Sequence, residues 1–252
     1  MGSEDGRRLD PLAEAFAGSA DSYDRARPGY DDEPLDWAFR ELRLDDGSVV
    51  LDLAAGTGKL SEALAPRAGR LIAVEPLPEM RRLLAARAPE ATLLDGTAEQ
   101  IPIGDGSVDA VFVGEAFHWF DGERALSELA RVLRPGGPIA LVWNVRDESV
   151  AWIRGLTHLI EPYRGDTPSH RSLRWRAAFD ASDAFPPPEL TSFPYVHDTT
   201  REGIVARVSS ISFIATLAPD EREQVAAAVR RLVPADQVAF AYRTDVWISR
   251  RA

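Results

Sequence analysis

The chain has no cysteine among its 252 residues, which excludes disulfides, thiolate nucleophiles and cysteine metal sites. Histidine is scarce: His118, His158, His170 and His197 fall at no metal-ligand spacing, and no metal is expected. Lysine occurs once, at Lys59. Basic residues are outnumbered, 29 against 40 acids, and the formal charge of −11 creates a field that repels a phosphate backbone. Nucleic acid is therefore not an expected partner. No apolar run reaches membrane-spanning length, and the start MGSEDGRRLD lacks an apolar signal core, so a cytoplasmic location without membrane partners is expected. The G-x-S-x-G nucleophile motif is missing. A triphosphate-binding loop is excluded at GTGK, because Leu53 stands where its first glycine belongs and Leu60 where its hydroxyl belongs.

What is present is a β/α rhythm. In VVLDLAAGTGKLS, residues 49–61, an apolar run is followed by a bend with Gly56 and Gly58 and then by a helical pattern from Lys59, an arrangement that lets backbone approach a ligand. Strands are expected at 49–54, 71–75, 91–94, 108–114 and 139–144. Helices are expected from Pro34 (Leu35, Phe39 and Leu42 on one face) and at 59–66, 78–87 and 122–133, the last stopped by Pro135, Gly136 and Gly137. The alternation predicts an α/β fold whose parallel sheet is covered on both faces. After Asn144 the rhythm breaks, and residues 146–188 are expected to form a helical lid insertion over the acceptor site. Strands at 190–199 and 236–249, flanking helices at 201–215 and 219–233, are expected to complete the sheet, the last strand antiparallel. Four segments follow: residues 1–34 as an N-terminal cap, 35–145 as the α/β core, 146–188 as the lid and 189–252 as the closing strands and helices.

In an open parallel sheet, ligands bind beyond the carboxyl ends of the strands. Those ends carry Asp52 with Gly56 and Gly58, Glu75 in LIAVEP, Asp95 and GTAEQIP, GEAFHWF, and WNVRD. Together they resemble class I S-adenosylmethionine-dependent methyltransferases, specifically the methyltransferase type 11 branch that includes enzymes similar to trans-aconitate methyltransferases. The resemblance runs from about Tyr23 to the end of the chain. It implies a Rossmann-like, seven-stranded, mostly parallel sheet and S-adenosylmethionine as cofactor, with S-adenosylhomocysteine as product.

The resemblance also implies roles. Asp52, Ala54, Gly56 and Gly58 match D-x-G-x-G-x-G with alanine at the first glycine. Glu75, followed by Pro76, stands where the family's acid accepts hydrogen bonds from the ribose hydroxyls. Gly96 to Glu99 is similar to the adenine-contacting loop, with Thr97 at its aspartate position and Ala98 and Glu99 beside it. Glu115 and Ala116 are expected to line the cofactor; His118, Trp119, Trp143, Asn144 and Arg146 are expected nearer the acceptor, with His118 the base candidate. In YDRARPGY, which is similar to a segment that folds over the cofactor, Tyr23 is expected at the sulfonium end and Arg27 at the methionine carboxylate.

A nicotinamide-binding fingerprint needs a third glycine where Ser61 stands, which weakens that rival without removing it; a cofactor-binding regulator or cyclisation catalyst is the other alternative. The acceptor is expected to be a small molecule, with carboxylate O-methylation slightly preferred, because residues 146–176 hold six arginines and four acids in an otherwise acidic chain. Oligomeric state is left as monomer or homodimer.

Overall fold

The computed structural model describes Asp24 and residues 27–252; the expected role of Tyr23 lies outside them. Helix α1 (Asp32–Leu42) is capped by Asp31, whose carboxylate accepts from the Asp32 N–H at 2.9 Å, and ends at Arg43 in the left-handed conformation. Five parallel strands follow, β1 (Val49–Leu53), β2 (Arg70–Val74), β3 (Thr92–Leu94), β4 (Ala110–Gly114) and β5 (Pro138–Arg146). Helices α2 (Lys59–Leu64), α3 (Pro78–Arg87) and α4 (Gly122–Val132) alternate with them.

Two long strands, β6 (Glu189–Thr200) and β7 (Gln237–Arg250), complete a seven-stranded sheet in the order β3-β2-β1-β4-β5-β7-β6. Only β7 runs antiparallel, pairing with β5 from Pro138↔Arg250 to Arg146↔Tyr242 and with β6 from Glu189↔Ile248 to Thr200↔Gln237. The strand order reverses between β1 and β4, so the ends of these two strands flank the crevice where such sheets take ligands.

The two-residue period of the strands divides the core. Val50, Ala110, Phe112, Ala140 and Val142 pack against α1 and α2, while Leu51, Leu53, Val111, Val113, Ile139 and Leu141 pack against α4. Burial on both faces is why the strands read as continuous apolar runs.

A third cluster joins α5 (Ala151–Ile160) to α7 (Arg201–Ser209), α8 (Ser212–Ala215) and α9 (Pro219–Leu232), through Ile153, Leu156, Ile204, Val208, Ile214 and Val229. The single helix expected over 201–215 is thus two. The insertion expected as a lid over 146–188 packs in two halves. Its first half belongs to this helical cluster, whereas Trp175 and, within the short α6 (Ala177–Asp180), Phe179 are buried in the main core against Phe117, and Phe185 is buried in the same core. The apolar faces of its two halves point to different cores, which anchors the insertion at both ends. Among the described residues no helix is long and apolar enough to cross a membrane.

Candidate functional site

Two adjoining cavities open at the carboxyl end of the sheet. The first is a cleft with about 1380 Å³ of empty space, out to its open mouth. Arg27, Asp52, Ala54, Gly56, Glu75, Pro76, Thr97, Ala98, Glu99, Glu115, Ala116, Trp119 and Asn144 line it. The second, with about 840 Å³, is lined by Arg27, Glu115, His118, Trp119, Asn144, Arg146, Arg164, His170, Arg171, Arg207, Phe213 and Tyr242, among others. Arg27, Glu115, Trp119, Asn144 and Arg207 border both, so the cavities meet at the ends of β4 and β5.

In the cleft, Glu75 is 5% exposed and accepts the N–H of Gly56 at 2.9 Å through one oxygen and that of Leu77 at 2.9 Å through the other. Burial pushes its carboxyl up, and the two N–H bonds oppose that rise. The acid therefore pins the glycine bend while facing the cleft. Asp52 is fully buried, with Oδ2 accepting from the Ser61 hydroxyl at 2.5 Å and Oδ1 without a partner among the described residues. Burial pushes this carboxyl up to about 7, against the Ser61 hydrogen bond and with a further push from Glu75.

The bend needs left-handed backbone. Ala54 sits at φ 57° and Gly56 at φ 58°. A Cβ on Gly56 would meet nothing within 4 Å, so its inner face is open to the cleft. Gly58 differs from its expected role: it does not line the cleft, and a Cβ there would lie 2.6 Å from Leu84 Cδ1. Its φ of 86° and missing side chain let α2 start tight against α3.

The strand-end tripod at the junction is closely tied. Glu115, at φ 59°, accepts the Asn144 N–H at 2.6 Å; the Asn144 side chain donates to the Gly29 carbonyl at 2.9 Å and accepts from the Thr244 hydroxyl at 2.7 Å. Burial raises the Glu115 carboxyl, opposed first by Arg27. Asp24, not singled out from sequence, clamps the segment before α1: it accepts from the Thr57 hydroxyl at 2.6 Å and from Arg87 at 2.5 and 2.8 Å. Burial alone would raise Asp24, but the Arg87 and Thr57 hydrogen bonds outweigh it and bring the carboxyl down to about 2.

Trp143 does not line either cavity, contrary to its expected acceptor contact. Its ring is 1% exposed, 5.0 Å from Trp175 and stacked 5.8 Å from His170, so it is wall material behind the chamber. His118 and Arg146 do face the chamber. Burial, then His170, Arg27 and Arg164, push the His118 imidazole down to about 3, which makes it a poor base near neutrality. Burial and then Arg207 lower Arg146 to about 10, still cationic at pH 7.

The chamber also gathers residues that carry no motif: Arg207 from α7, Phe213 from α8 and Tyr242 from β7. Of the six arginines in 146–176, Arg146, Arg164 and Arg171 reach it. Arg164 is paired with Glu161 at 2.9 Å and Arg171 with Glu148, while the Arg146 side chain has no ion pair or hydrogen bond among the described residues and feels the Glu115 and Glu148 carboxylates at longer range. Arg176 instead lies over Trp247 at 5.1 Å.

Residues 51–141 match the methyltransferase domain family. The chain is 35% identical over 237 residues to an uncharacterized methyltransferase-like protein of Schizosaccharomyces pombe, covering 91% of this chain and 92% of that one. An uncharacterized methyltransferase of Mycobacterium tuberculosis is 48% identical over 146 residues, which is 58% of each chain. A solved structure from Anaeromyxobacter dehalogenans, given as a type II methyltransferase, shares the fold with a TM-score of 0.66 at 24% identity, covering 89% of this chain and 97% of that one. The chain belongs to the class I S-adenosylmethionine-dependent methyltransferases, and its cofactor is S-adenosylmethionine. Membership in that family replaces the nicotinamide and non-methylating alternatives. Ser61, where a dinucleotide fingerprint has its third glycine, is buried and engaged with Asp52.

Proposed function

We propose that this enzyme methylates a carboxylate oxygen of a small molecule held in the arginine-lined chamber, with the cofactor in the adjoining cleft. The observation that carries this reading is the chamber's charge: among the described residues, five arginines line it against one carboxylate, that of Glu115. Arg146, cationic and with no carboxylate at ion-pair distance among the described residues, is the group such an acceptor would satisfy.

The cleft suits the cofactor on grounds internal to this structure. Asp52 presents an unpartnered buried oxygen that would accept from an ammonium group, and the open inner face of Gly56 leaves room for close approach. We assign Glu75 to the ribose hydroxyls, Thr97, Ala98 and Glu99 to the adenine, and Arg27 to the methionine carboxylate. Bound there, S-adenosylmethionine supplies an already activated sulfonium methyl.

The protein's own task is alignment and exclusion of water. A carboxylate is ionised near neutrality and needs no base, whereas a phenol, with a pKa of about 10, would gain from one. His118, held neutral as a weak base, is ill suited to take a phenolic proton. Methylation also removes the acceptor's charge, which weakens its hold on the arginines and favours release of the ester.

The experiment is a turnover screen of small carboxylic acids against the matching amides, followed by Arg146→Met. Acids are expected to react and amides not to. Arg146→Met is expected to raise the acceptor KM about 10- to 100-fold, as loss of a charge-assisted contact implies, with the cofactor KM within about twofold. Turnover of amines or phenols but of no acid would overturn the reading.

A further inference from the structure

We infer that Glu115 holds the acceptor carboxylate directly, the two carboxyl groups sharing a single proton that sits on Glu115. This rests on the carboxylate reading above and adds a contact on the acceptor beside the arginines.

Among the described residues Glu115 is the one acid that lines the chamber, and it lines the cofactor cleft as well. It therefore stands where the methyl group must pass from one cavity to the other. An acid at the mouth of an anion site needs a reason. Its structural task does not supply one, because the Asn144 N–H that Oε1 accepts at 2.6 Å would be served as well by the carbonyl of a glutamine, at a lower cost of burial.

The carboxyl is at once held and open. The Glu115 N–H donates to the Val142 carbonyl at 2.9 Å, and Oε1 takes the N–H of Asn144 two residues farther along β5, so backbone and side chain are both tied to that strand. The backbone sits at φ 59°, a left-handed conformation that a residue with a Cβ adopts only at a cost. Glu115 is partly exposed, into the two cavities. Its Oε2 has no hydrogen-bond partner among the described residues and is not one of the polar atoms closed off from solvent, so a ligand atom can reach it.

Electrostatics decides where the proton goes. Burial raises the Glu115 carboxyl and outweighs the groups that favour its ionised form: Arg27 before α1, the Asn144 N–H, Arg207 on α7 and Arg146 on β5. An acceptor carboxylate brought against Oε2 adds a like charge, and two carboxylates in one site do not both stay ionised. One proton is then kept between them. Arg146, which lines the chamber and carries no ion pair of its own among the described residues, keeps the acceptor carboxylate ionised. The proton therefore stays on Glu115, which donates an O–H···O⁻ bond of about 2.5–2.7 Å. The acceptor's other oxygen is left for the methyl group.

The test joins infrared difference spectroscopy to calorimetric titration, on protein saturated with S-adenosylhomocysteine and with butanoate, benzoate and succinate as probes. The acid-bound wild type is expected to show the C=O band of a protonated carboxyl that shifts in deuterium oxide and is missing from Glu115→Gln. That band should stay in place when the probe carries heavy carbon at its carboxyl, which puts the proton on the protein. In titration, Glu115→Gln, whose amide N–H can donate in place of the O–H, should bind the acids about 2- to 10-fold more weakly than wild type. Glu115→Leu, which cannot donate, should lose about 10- to 100-fold, and its affinity for S-adenosylhomocysteine reports whether it is folded. The infrared arm and the glutamine variant decide the matter without it. A missing band, a band that moves with the heavy-carbon label, or tighter binding by Glu115→Gln, the mark of an ionised Glu115 repelling the acid, would overturn the inference and leave the carboxylate reading intact. Binding of no acid by the wild type would overturn both.

Discussion

Lowering the pH from about 7.5 to about 5.5 is expected to weaken S-adenosylmethionine binding about 25-fold, and Asp52→Asn is expected to abolish that dependence. In the unliganded protein, burial holds Asp52 up at about 7 from an ordinary 3.8, so over this range it passes from mostly ionised to mostly protonated. An ammonium partner requires the ionised form, and below the folded pKa each pH unit then costs about tenfold in affinity. The same shift has an opposite consequence for the empty protein. A carboxyl whose folded pKa is raised favours the protonated fold, so its contribution to stability is lost as pH rises from about 4 toward 7. Relative to wild type, unliganded Asp52→Asn should therefore gain thermal stability at pH 7 more than at pH 4. Titration calorimetry across pH, with thermal melts of both proteins, checks the two arms. A flat wild-type binding profile would remove Asp52 from contact with the cofactor's amino group.

Glu75→Ala is expected to be the most damaging single substitution in the cleft. It leaves the N–H groups of Gly56 and Leu77 without their acceptor and also removes the acceptor assigned to the ribose hydroxyls. Loss of one buried partner is worth about 1–3 kcal/mol, or roughly 5- to 150-fold in affinity, and here two backbone donors are affected at once. The expected result is at least a 10-fold loss of S-adenosylhomocysteine binding together with a lowered Tm. Glu75→Gln, which retains only one acceptor oxygen, should fall between. Unchanged affinity in Glu75→Ala would sink this placement of the cofactor.

The cleft was far more legible in the sequence than the chamber, for a physical reason. Cofactor-side residues stand at the carboxyl ends of consecutive strands, and strands, glycine bends and helix stops are local signals; Asp52, Glu75 and Glu115 follow from finding where apolar runs end. Gly58 and Trp143 show the limit of that logic. Motif position put Gly58 at the ligand, but its vacant Cβ direction faces Leu84, a contact set by how α2 packs on α3. Trp143 lies on the strand that reaches the chamber, yet it points to the face where Trp175 covers it.

The chamber joins residues from β4, β5, the insertion, α7, α8 and β7, and no spacing in the chain announces that Arg207 and Tyr242 share a wall with Arg146. The break in rhythm after Asn144 did mark the insertion, and its arginine excess did point to charge. What periodicity could not show was that the insertion's two halves are buried in different cores, so it is an anchored wall of the chamber.

The most direct measurement is of the bond made. The enzyme is incubated with S-adenosylmethionine carrying a labelled methyl group and the carboxylic acid panel, and the labelled product is treated with mild base. A methyl ester releases its label as methanol, and that release is what the arginine-lined chamber and the weakly basic His118 predict. Label that stays on the product through base treatment, as an N- or C-methyl group, would contradict the account.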